Sequence, residues 1–416
     1  MKKKLLAVLL CVAMTASLAA CGSSSSSDSS SDTTTEETSD DTEEAEAAEE
    51  TESDDAATSS AASDITIGVI YVGDENEGYS ASHINGVAAA AEALGISSDQ
   101  IIEKTNIPED ESCYDAAVDL AEQGCDIIFA TSFGHEDYLF QAASEYPDIE
   151  FCHATGYQAA SYGLDNVHNY FDNIYEARYV SGIVAGMKIQ EMIDNGEITE
   201  DEAKIGYVGA YPYAEVISGF TAFYLGAKSV VDSVTMEVKY TNSWADISLE
   251  NETAQALIAD GCIMIGQHAD TTGAPSACED AGVYCVGYNI DMTSVAPSVA
   301  LTSSTNNWEV YYEYAISCVL NGESIVTDWA EGYSSGAVLI TDLNEDIVTE
   351  GTQEAVDEAE AAIADGSLHV FDISTFTVDG ETLEEDGEYI YDGYYHESEL
   401  ASAPSFEYII DGITEK

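Results

Sequence analysis

The sequence predicts an α/β protein with two similar lobes, each built on a doubly wound parallel sheet. The first observation is the stretch 124–157, in which an apolar run, a polar loop, a helix-like segment and a second apolar run follow one another. The second is a repeat of this pattern further along the chain. The third is that polar and aromatic residues follow the apolar runs, and ligands bind outside the carboxyl ends of strands in open parallel sheets. We therefore expect a small-molecule cleft between the lobes.

Several matches in the same order indicate that the chain contains a long duplication. Each copy has Leu, a short polar step, Gly-Cys, an apolar strand and a polar loop, and earlier segments correspond as well. The matched pairs are 65–73 with 203–211, Gly86 with Gly219, and 120–137 with 257–273. Because each copy is long, the pattern indicates two βαβα units and not a short solenoid period. Two such units placed face to face would bury a ligand between them.

The N-terminus has the pattern of a secretory signal. Lysines at positions 2–4 precede the apolar run 5–16, and small residues follow up to Cys21. The apolar run is shorter than the ~20 residues that a membrane span needs, and this arrangement is typical of a signal peptide, which we predict over residues 1–20. The ending Leu-Ala-Ala-Cys resembles a bacterial lipobox. It implies lipidation of Cys21 and an extracytoplasmic protein that is lipid-anchored to the bacterial cell membrane.

The rest of the chain divides by composition. Residues 21–63 are nearly all Ser, Thr, Asp, Glu and Ala with no aromatic residue, so we expect a disordered acidic tether behind the lipidated cysteine. From residue 64 onward the composition is that of folded domains. The predicted division is lobe 1 at 64–170, lobe 2 at 171–300, a return segment to lobe 1 at 301–326, and a C-terminal extension at 327–416.

Charge and cysteine content restrict the partners. The chain has 80 acidic against 10 basic residues, and Arg178 is its only arginine. Such a surface repels nucleic acid and anionic headgroups, and it disfavours phosphate-bearing ligands, so we expect a neutral or cationic ligand.

Of the nine cysteines, seven remain after Cys11 in the signal and Cys21. An odd number without tight spacing predicts buried thiols, with Cys278 and Cys285 as the one pair left open.

Loop residues at the predicted strand ends are the candidate ligand-binding residues. Aromatic faces with a few carboxylates and amides suit a flat, hydrogen-bonding ring. For each aromatic residue the alternative is core packing, and for each carboxylate it is a solvated surface position. Core packing is least expected for two of the aromatic residues. These are Trp244, which stands in a polar setting after a strand, and Tyr79, which follows a glycine in an acidic loop. The full set is Tyr79, Ser132, Phe133, Asp137, Trp244, His268, Asp270, Asn289 and Asp291.

The sequence gives no support for a catalytic, metal or cofactor site. The seven histidines are dispersed without a metal-binding spacing, and neither a nucleophile elbow nor a phosphate-binding glycine loop is present. We therefore predict a protein without catalytic residues, bound metal or cofactor. A surface nucleoside hydrolase stays open as the enzymatic alternative, because carboxylates near a nucleoside could hydrolyse it.

The residues also resemble the basic membrane protein (BMP) family of bacterial ABC-transporter solute-binding lipoproteins. The resemblance covers roughly 65–322 and is carried in order by IIFATSFGHED, YPDIEFCHATGY, EARYVSGIVAG, IGYVGAYPYAEVISGFTAFYLGA, NSWAD and IGQHADTTGAPSACEDAGVYCVGY. It implies a type I periplasmic-binding-protein fold with a three-crossing hinge. It also implies a purine nucleoside or nucleobase as ligand, and a permease and an ATPase as partners.

Individual residues carry over from this resemblance. Tyr79 and Trp244 fall where the family places its two stacking aromatics, and Asp137 matches a polar position that contacts the base. Asn289 stands where nucleoside-binding members often have an aspartate for the ribose. A lysine of those members near the third crossing is replaced by Asn306 and Asn307.

With Trp244 in the NSWAD context and with His268 and Asp270, the chain more closely resembles members that take a free base such as adenine. The resulting expectation is a monomeric receptor that closes two lobes around a neutral, adenine-like purine, with Asp137 and Asp270 selecting by hydrogen bonds. It would deliver this ligand to a permease without chemistry. The alternatives are the hydrolase, a receptor for a different small solute such as a sugar or autoinducer, and a sensor role.

Overall fold

The computed structural model describes residues 64–416, and the predicted signal peptide, the lipidation site Cys21 and the tether up to residue 63 lie outside the described residues. Two separate parallel-sheet cores organise the described part. We call each sheet, with the helices that cover it, the first and the second lobe.

The first lobe contains a six-stranded sheet in which all pairs are parallel. Its strands are β1 (Ile67–Ile70), β2 (Ile101–Lys104), β3 (Ile127–Ala130), β4 (Glu150–Ala154), β5 (Val167–Tyr170) and β11 (Asp328–Trp329). Their order is β11-β5-β4-β3-β1-β2. The short apolar runs form buried strands because helices cover both faces, as in other parallel sheets.

Five helices belong to the first lobe: α1 (Gly78–Ala93), α2 (Glu111–Glu122), α3 (Glu136–Ala143), α4 (Ala159–Tyr162) and α9 (Glu309–Asn321). Helix α9 packs against α1. A Cβ built on Gly86 would lie 2.6 Å from the Cβ of Trp308, so only glycine allows α1 to approach the start of α9 this closely. Helix α9, which comes late in the chain, therefore completes the first lobe.

The second lobe contains a seven-stranded sheet in the order β12-β10-β9-β8-β6-β7-β15. Its strands are β6 (Lys204–Gly209), β7 (Thr235–Tyr240), β8 (Met264–His268), β9 (Tyr284–Tyr288), β10 (Ala300–Asn306), β12 (Val338–Ile340) and β15 (Ile413–Glu415). All pairs are parallel except β10 with β12. The strand order β9-β8-β6-β7 repeats the order β4-β3-β1-β2 of the first lobe, as the internal duplication predicts.

Helices α5 (Ile174–Asp194), α6 (Ala214–Val230), α7 (Ile247–Ala259), α8 (Gly273–Ala281) and α10 (Thr352–Ala364) cover the second sheet. Helices α5 and α6 approach each other most closely at two glycines. A Cβ on Gly182 would lie 2.2 Å from the carbonyl oxygen of Phe223, and one on Gly226 would lie 2.0 Å from that of Tyr179. The small residues of the 174–194 segment therefore serve helix packing.

The chain passes between the lobes three times. It crosses after β5 into α5, after β10 into α9, and between β11 and β12. Backbone hydrogen bonds tie neighbouring crossings together, from Asn173 N to Glu331 O at 2.8 Å and from Asn307 N to Ala337 O at 2.7 Å. The predicted fold, two parallel-sheet lobes of the type I periplasmic-binding-protein kind, is confirmed.

The segment after residue 300 contributes to both lobes. Strand β10 belongs to the second sheet, so the expected return segment, 301–326, begins inside that strand and reaches the first lobe at α9. In the extension, β11 joins the first sheet while β12 and β15 join the second, and a small hairpin is formed by β13 (Ile390–Tyr391) and β14 (Tyr394–Tyr395). Phe371 stacks on Phe406 at 4.3 Å within the core of the second lobe.

The seven cysteines of the described residues are all buried free thiols, including Cys278 and Cys285. Within residues 64–416, none of the helices has the length and apolarity required to span a membrane.

Candidate functional site

A cavity of about 340 Å³ lies between the two lobes, at the carboxyl ends of their central strands. Its wall combines aromatic rings, small hydroxyl side chains and carboxyl groups from both lobes. The lining residues are Val72, Gly73, Glu77, Tyr79, Glu109, Thr131, Ser132, Phe133, Thr155, Tyr211, Glu215, Ser243, Trp244, Ala245, Asp270 and Tyr288. This volume falls in the range of about 300–1,000 Å³ that is usual for small-ligand sites.

Tyr79 is placed by the N-terminus of α1. The Glu77 carboxylate caps this helix by accepting hydrogen bonds from Tyr79 N at 2.7 Å and Ser80 N at 2.8 Å, which satisfies two of its free amide donors. The Tyr79 hydroxyl donates to the Thr131 carbonyl at 2.7 Å, and its ring meets the His83 ring edge-on at 4.6 Å. Tyr79 is therefore held rigidly, with 9% of its surface exposed.

Gly78 brings the first lobe into direct contact with the second. Its amide donates to the carbonyl of Asp270 at 3.0 Å. A Cβ at this position would lie 2.8 Å from that carbonyl oxygen and 3.4 Å from the Cβ of Asn289. Any side chain would collide with the backbone of the second lobe, so the closed arrangement of the cleft depends on glycine here.

The opposite wall carries Trp244 and Tyr211, and Tyr213 packs beside them. Tyr211 and Tyr213 stack at 5.1 Å with an interplanar angle of 11°, and both rings lie next to the Trp244 indole, at 5.4 Å and 6.3 Å. The backbone that carries the indole is held in place, because the Trp244 carbonyl accepts a hydrogen bond from Asp270 N at 2.8 Å. The second lobe thus presents a packed group of three rings.

The aromatic contact continues across the mouth of the cleft. Phe133 of the first lobe lies 6.3 Å from Tyr213 of the second and 6.2 Å from Tyr157 of its own lobe. These three side chains are 45%, 48% and 57% exposed, respectively. We call Phe133, Tyr157 and Tyr213 the aromatic bridge, because they connect the lobes at the entrance.

Four carboxyl side chains line the cavity, and no lysine, arginine, asparagine or glutamine is among the lining residues. Glu109 accepts hydrogen bonds from the Ser132 hydroxyl at 2.7 Å and from Gly134 N at 2.8 Å. Burial raises the pKa of Glu77 above its ordinary value. The cavity is therefore rich in acceptors and offers hydroxyl groups, amides and protonated carboxyls as its donors.

Asp270 and Glu215 have different electrostatic surroundings. The pKa of Asp270 is raised well above its ordinary value by burial and by the negative charges of Glu77 and Glu250, although a hydrogen bond from Asn289 Nδ2 at 2.8 Å opposes this rise. Burial raises the pKa of Glu215 to about 7, and the nearby cation Arg178 opposes the rise. Glu215 is also 3.2 Å from Nε2 of His268. Burial thus favours the protonated, donor form of Asp270, whereas the Arg178 cation favours the ionised, acceptor form of Glu215.

Of the nine residues expected to contact a ligand, five line the cavity: Tyr79, Ser132, Phe133, Trp244 and Asp270. The other four stand outside it. Asp137 is exposed on α3 and accepts from Gln158 Nε2 at 2.8 Å, and His268 lies behind Glu215. Asn289 is bonded to Asp270, and Asp291 caps the turn 292–294 through Thr293 N at 2.8 Å.

Sequence reasoning missed Glu215 and the rings of Tyr211 and Tyr288. Tyr211 and Glu215 lie in the loop and first helical turn that follow β6. The internal repeat pairs this segment with the one after β1 that contains Tyr79, so the duplication itself was the signal that could have identified them. Within residues 64–416, no group of three or more His, Cys, Asp or Glu side chains is arranged to hold a metal ion.

Comparisons with known proteins agree with this geometry. The protein is 32% identical over 314 residues to a purine-binding protein of Brucella abortus, which covers 74% of this chain and 83% of the relative. It is 33% identical over 264 residues to a Haloferax volcanii protein named for glucose binding in an ABC transporter, covering 64% of this chain and 63% of that relative.

A solved solute-binding protein of an ABC transporter from Conexibacter woesei has the same fold, with a TM-score of 0.61 and 19% identity, covering 73% of this chain and 98% of the other. Residues 65–368 match the family described as Bmp, ABC transporter substrate-binding protein PnrA-like. Such proteins bind a small ligand outside the cytoplasm and work with a permease and an ATPase. Together with the interlobe cavity, this match establishes that the chain belongs to the Bmp family of ABC transporter substrate-binding proteins.

Proposed function

We propose that the protein is a monomeric receptor, anchored outside the cell membrane through a lipid on Cys21, that captures an adenine-like purine and passes it to its permease. The observation that carries this proposal is that Tyr79 of one lobe and Trp244 of the other line the same cavity. Tyr79 belongs to the core of the first lobe and Trp244 packs partly against that of the second, yet each ring contributes to the cavity wall. A flat ring placed between them would contact both lobes and favour the closed state.

The lining favours a flat heterocycle over a sugar. Five of its side chains are aromatic, namely Tyr79, Phe133, Tyr211, Trp244 and Tyr288. Aromatic faces bind planar rings through stacking. The relative named for purine binding is also matched over a larger share of its length than the one named for glucose. Both observations support a purine.

The carboxyl groups of Asp270 and Glu215 favour a ligand whose hydrogen-bonding edge resembles that of adenine. Adenine presents a ring nitrogen that accepts a hydrogen bond beside an amino group that donates one. A protonated Asp270 would supply the donor, and an ionised Glu215 would supply the acceptor. Burial raises the pKa of both groups, but neighbouring carboxylates add to the rise at Asp270 while Arg178 opposes it at Glu215. A buried group left without its partner costs about 1–3 kcal/mol, so the identity of the base should matter strongly.

The surroundings of Asn289 favour a free base over a nucleoside. Its amide donates to Asp270 and does not line the cavity. The close approach of Gly78 to Asp270 and Asn289 fills the space beside this pair. We therefore propose that the ligand-contacting set consists of Tyr79, Ser132, Phe133, Trp244 and Asp270, with Glu215 added, and that none of these residues is catalytic.

Calorimetric titration of the purified full chain with adenine, guanine, adenosine, inosine and glucose tests the proposal. We expect saturable one-to-one binding of adenine, weaker binding of guanine and of both nucleosides, and no binding of glucose. Chromatography of the recovered ligand should show it unchanged. Glucose binding without purine binding, or release of free base from adenosine, would refute the purine-receptor function.

A further inference from the structure

Arg178 is a buried cation that forms no ion pair with any carboxylate of residues 64–416. It lies on α5, 2% exposed, and its Nη1 donates to the Tyr207 hydroxyl at 2.8 Å and to the Gln267 carbonyl. In the part of the chain that the structure describes, its Nε and Nη2 have no hydrogen-bond partner. Burying a charge in this way is costly, so the position of this side chain calls for a physical reason.

The first link from Arg178 to the cavity is Tyr288. The guanidinium carbon lies 3.9 Å from the centroid of the Tyr288 ring, which is the geometry of a cation–π contact. Tyr288 is itself one of the residues that line the cavity. Arg178 therefore supports part of the cavity wall from behind.

The second link is His268. Its Nε2 is 3.2 Å from Glu215 Oε1, while its Nδ1 has no partner within residues 64–416. A Cβ built on Gly219 would lie 2.7 Å from Nδ1 of His268 and 3.5 Å from Nε of Arg178. Glycine at 219 thus lets His268 and Arg178 occupy neighbouring positions against α6, within reach of Glu215.

Burial and the charge of Arg178 together favour the neutral form of His268. Burial and the nearby Arg178 cation lower the pKa of His268 well below its ordinary value. The imidazole is therefore neutral and donates its Nε2–H to Glu215 Oε1. The hydrogen bond occupies Oε1, and the Glu215 side chain, which is 16% exposed, lines the cavity.

We infer that Arg178 is a positioning residue of the ligand site: packed against Tyr288 and beside His268, its guanidinium places a positive charge behind Glu215 and, through His268, orients that carboxylate to receive a ligand N–H. The inference rests on the proposed function only for the identity of the ligand.

The opposing effects of burial and Arg178 on the Glu215 pKa predict the direction in which that pKa shifts when Arg178 is replaced. Burial alone pushes the Glu215 carboxyl toward its protonated form, and Arg178 opposes it. The titratable and charged groups that face Glu215 from the elements around it are Tyr79, Arg178, His268, Asp270 and Tyr288. Arg178 is the only cation in that set, so its removal leaves the negative charge without compensation. Glu215 should then be protonated at neutral pH and stop acting as an acceptor.

The test compares Arg178→Met, Arg178→Gln and Arg178→Lys in the full chain. Lys188→Met is the matched control, because Lys188 is also buried on α5, lies 5.0 Å above the Tyr284 ring and pairs with Glu191. Ten residues separate it from Arg178, about 15 Å along a helix. Carboxyl-labelled glutamate NMR gives the titration of Glu215 without ligand, assigned by the signal missing in Glu215→Gln. Calorimetry with adenine from pH 6 to 8.5 gives the functional readout.

We expect neutral replacement of Arg178 to raise the titration midpoint of Glu215 by at least about one pH unit. Adenine affinity at pH 7.5 should then fall at least about threefold, because the ionised fraction of Glu215 falls by that factor. The Glu215 titration and adenine affinity of Arg178→Lys should stay close to those of the native protein, and those of Lys188→Met should match them.

Arg178→Gln replaces the Met variant if thermal unfolding shows that the latter does not fold. An unchanged Glu215 titration in the neutral variants, or an equal shift in Lys188→Met, would overturn the inference. Absence of adenine binding by the native protein would instead refute the proposed function, and the NMR titration would still decide the role of Arg178.

Discussion

The amide nitrogen of Gly78 lies 3.0 Å from the carbonyl oxygen of Asp270, and this hydrogen bond joins the first lobe to the second beside the cavity. The contact is between backbone atoms, so it depends on the closed arrangement of the lobes and on the absence of a side chain at 78. It also fixes Asp270 against Trp244 O and Asn289 Nδ2, its other hydrogen-bond partners.

Gly78→Ala should weaken ligand binding without unfolding the protein. The added Cβ would lie 2.8 Å from the Asp270 carbonyl oxygen, so the lobes must separate to accommodate it. We expect at least about a tenfold loss of adenine affinity, equivalent to about 1.4 kcal/mol, with an unchanged thermal unfolding midpoint. Small-angle scattering of the variant should show a more open molecule. Native affinity in Gly78→Ala would mean that this contact does not control closure.

Trp244→Ala should lower adenine affinity by the energy of one stacking contact. Loss of an aromatic side chain that stacks on a base costs about 1–3 kcal/mol, and the indole is only half-buried, so we expect the lobe to stay folded without it. Trp244→Phe is the conservative control and should retain most of the affinity. Equal affinities for the alanine variant and the native protein, measured by calorimetry, would exclude stacking on Trp244.

Removing the aromatic bridge should speed ligand release. Phe133 and Tyr213 contact each other across the entrance at 6.3 Å, and such pairs contribute about 0.5–1.5 kcal/mol beyond their buried area. A double-mutant cycle of Phe133→Ala and Tyr213→Ala, read by stopped-flow dissociation of adenine, should show coupling of that size. Tyr162→Ala is the control, since Tyr162 is 39% exposed and its ring lies beside Phe140 in the first lobe. Purely additive effects would argue against a bridge between the lobes.

The protein should be more stable at mildly acidic than at alkaline pH. Burial raises the pKa of Glu176, Glu215 and Glu250 to about 7. Because these folded-state pKa values exceed the unfolded ones, the folded state binds more protons, and stability falls as pH rises from about 4.5 through 7. The large negative charge of the chain acts in the same direction.

Glu250→Gln isolates one of these groups. Glu250 is fully buried, and its Oε1 has no partner in the part of the chain that the structure describes. The amide removes a buried charge at pH 8 and little at pH 5, so the variant should be stabilised by on the order of 2 kcal/mol at pH 8 only. Thermal unfolding at both pH values checks this. Glu252→Gln is the control, because Glu252 lies two residues further along α7 and is exposed. A higher unfolding midpoint at pH 8 than at pH 5.5 for the native protein would contradict the account.

The duplicated pattern was enough to predict the two lobes and the position of the cleft, because strand and loop order repeats in the sequence. Tyr79 and Trp244 were predicted because each comes shortly after a strand in a polar stretch, and both line the cavity even though Tyr79 lies in the first turn of α1. Asp137 shows the limit of this reasoning: it also follows a strand, yet it lies in a helical turn that directs it outward to Gln158. Successive residues on a helix turn by about 100°, so order along the chain does not fix which of them faces a ligand.

Glu215 was missed for a related reason. Its importance comes from His268 and Arg178, which are distant in sequence and meet it only in the folded second lobe. In a chain with 80 acidic residues, nothing local distinguishes this carboxylate from a solvated one. Packing around the group, and not its position in a motif, makes it a candidate.

A crystal structure of the full chain with adenine tests the central claim most directly. The account predicts the purine ring in the interlobe cavity, with atoms within about 4 Å of both the Tyr79 and the Trp244 rings and with its polar edge on Asp270 and Glu215. Adenine bound elsewhere, or a cavity occupied without contact to either ring, would contradict it.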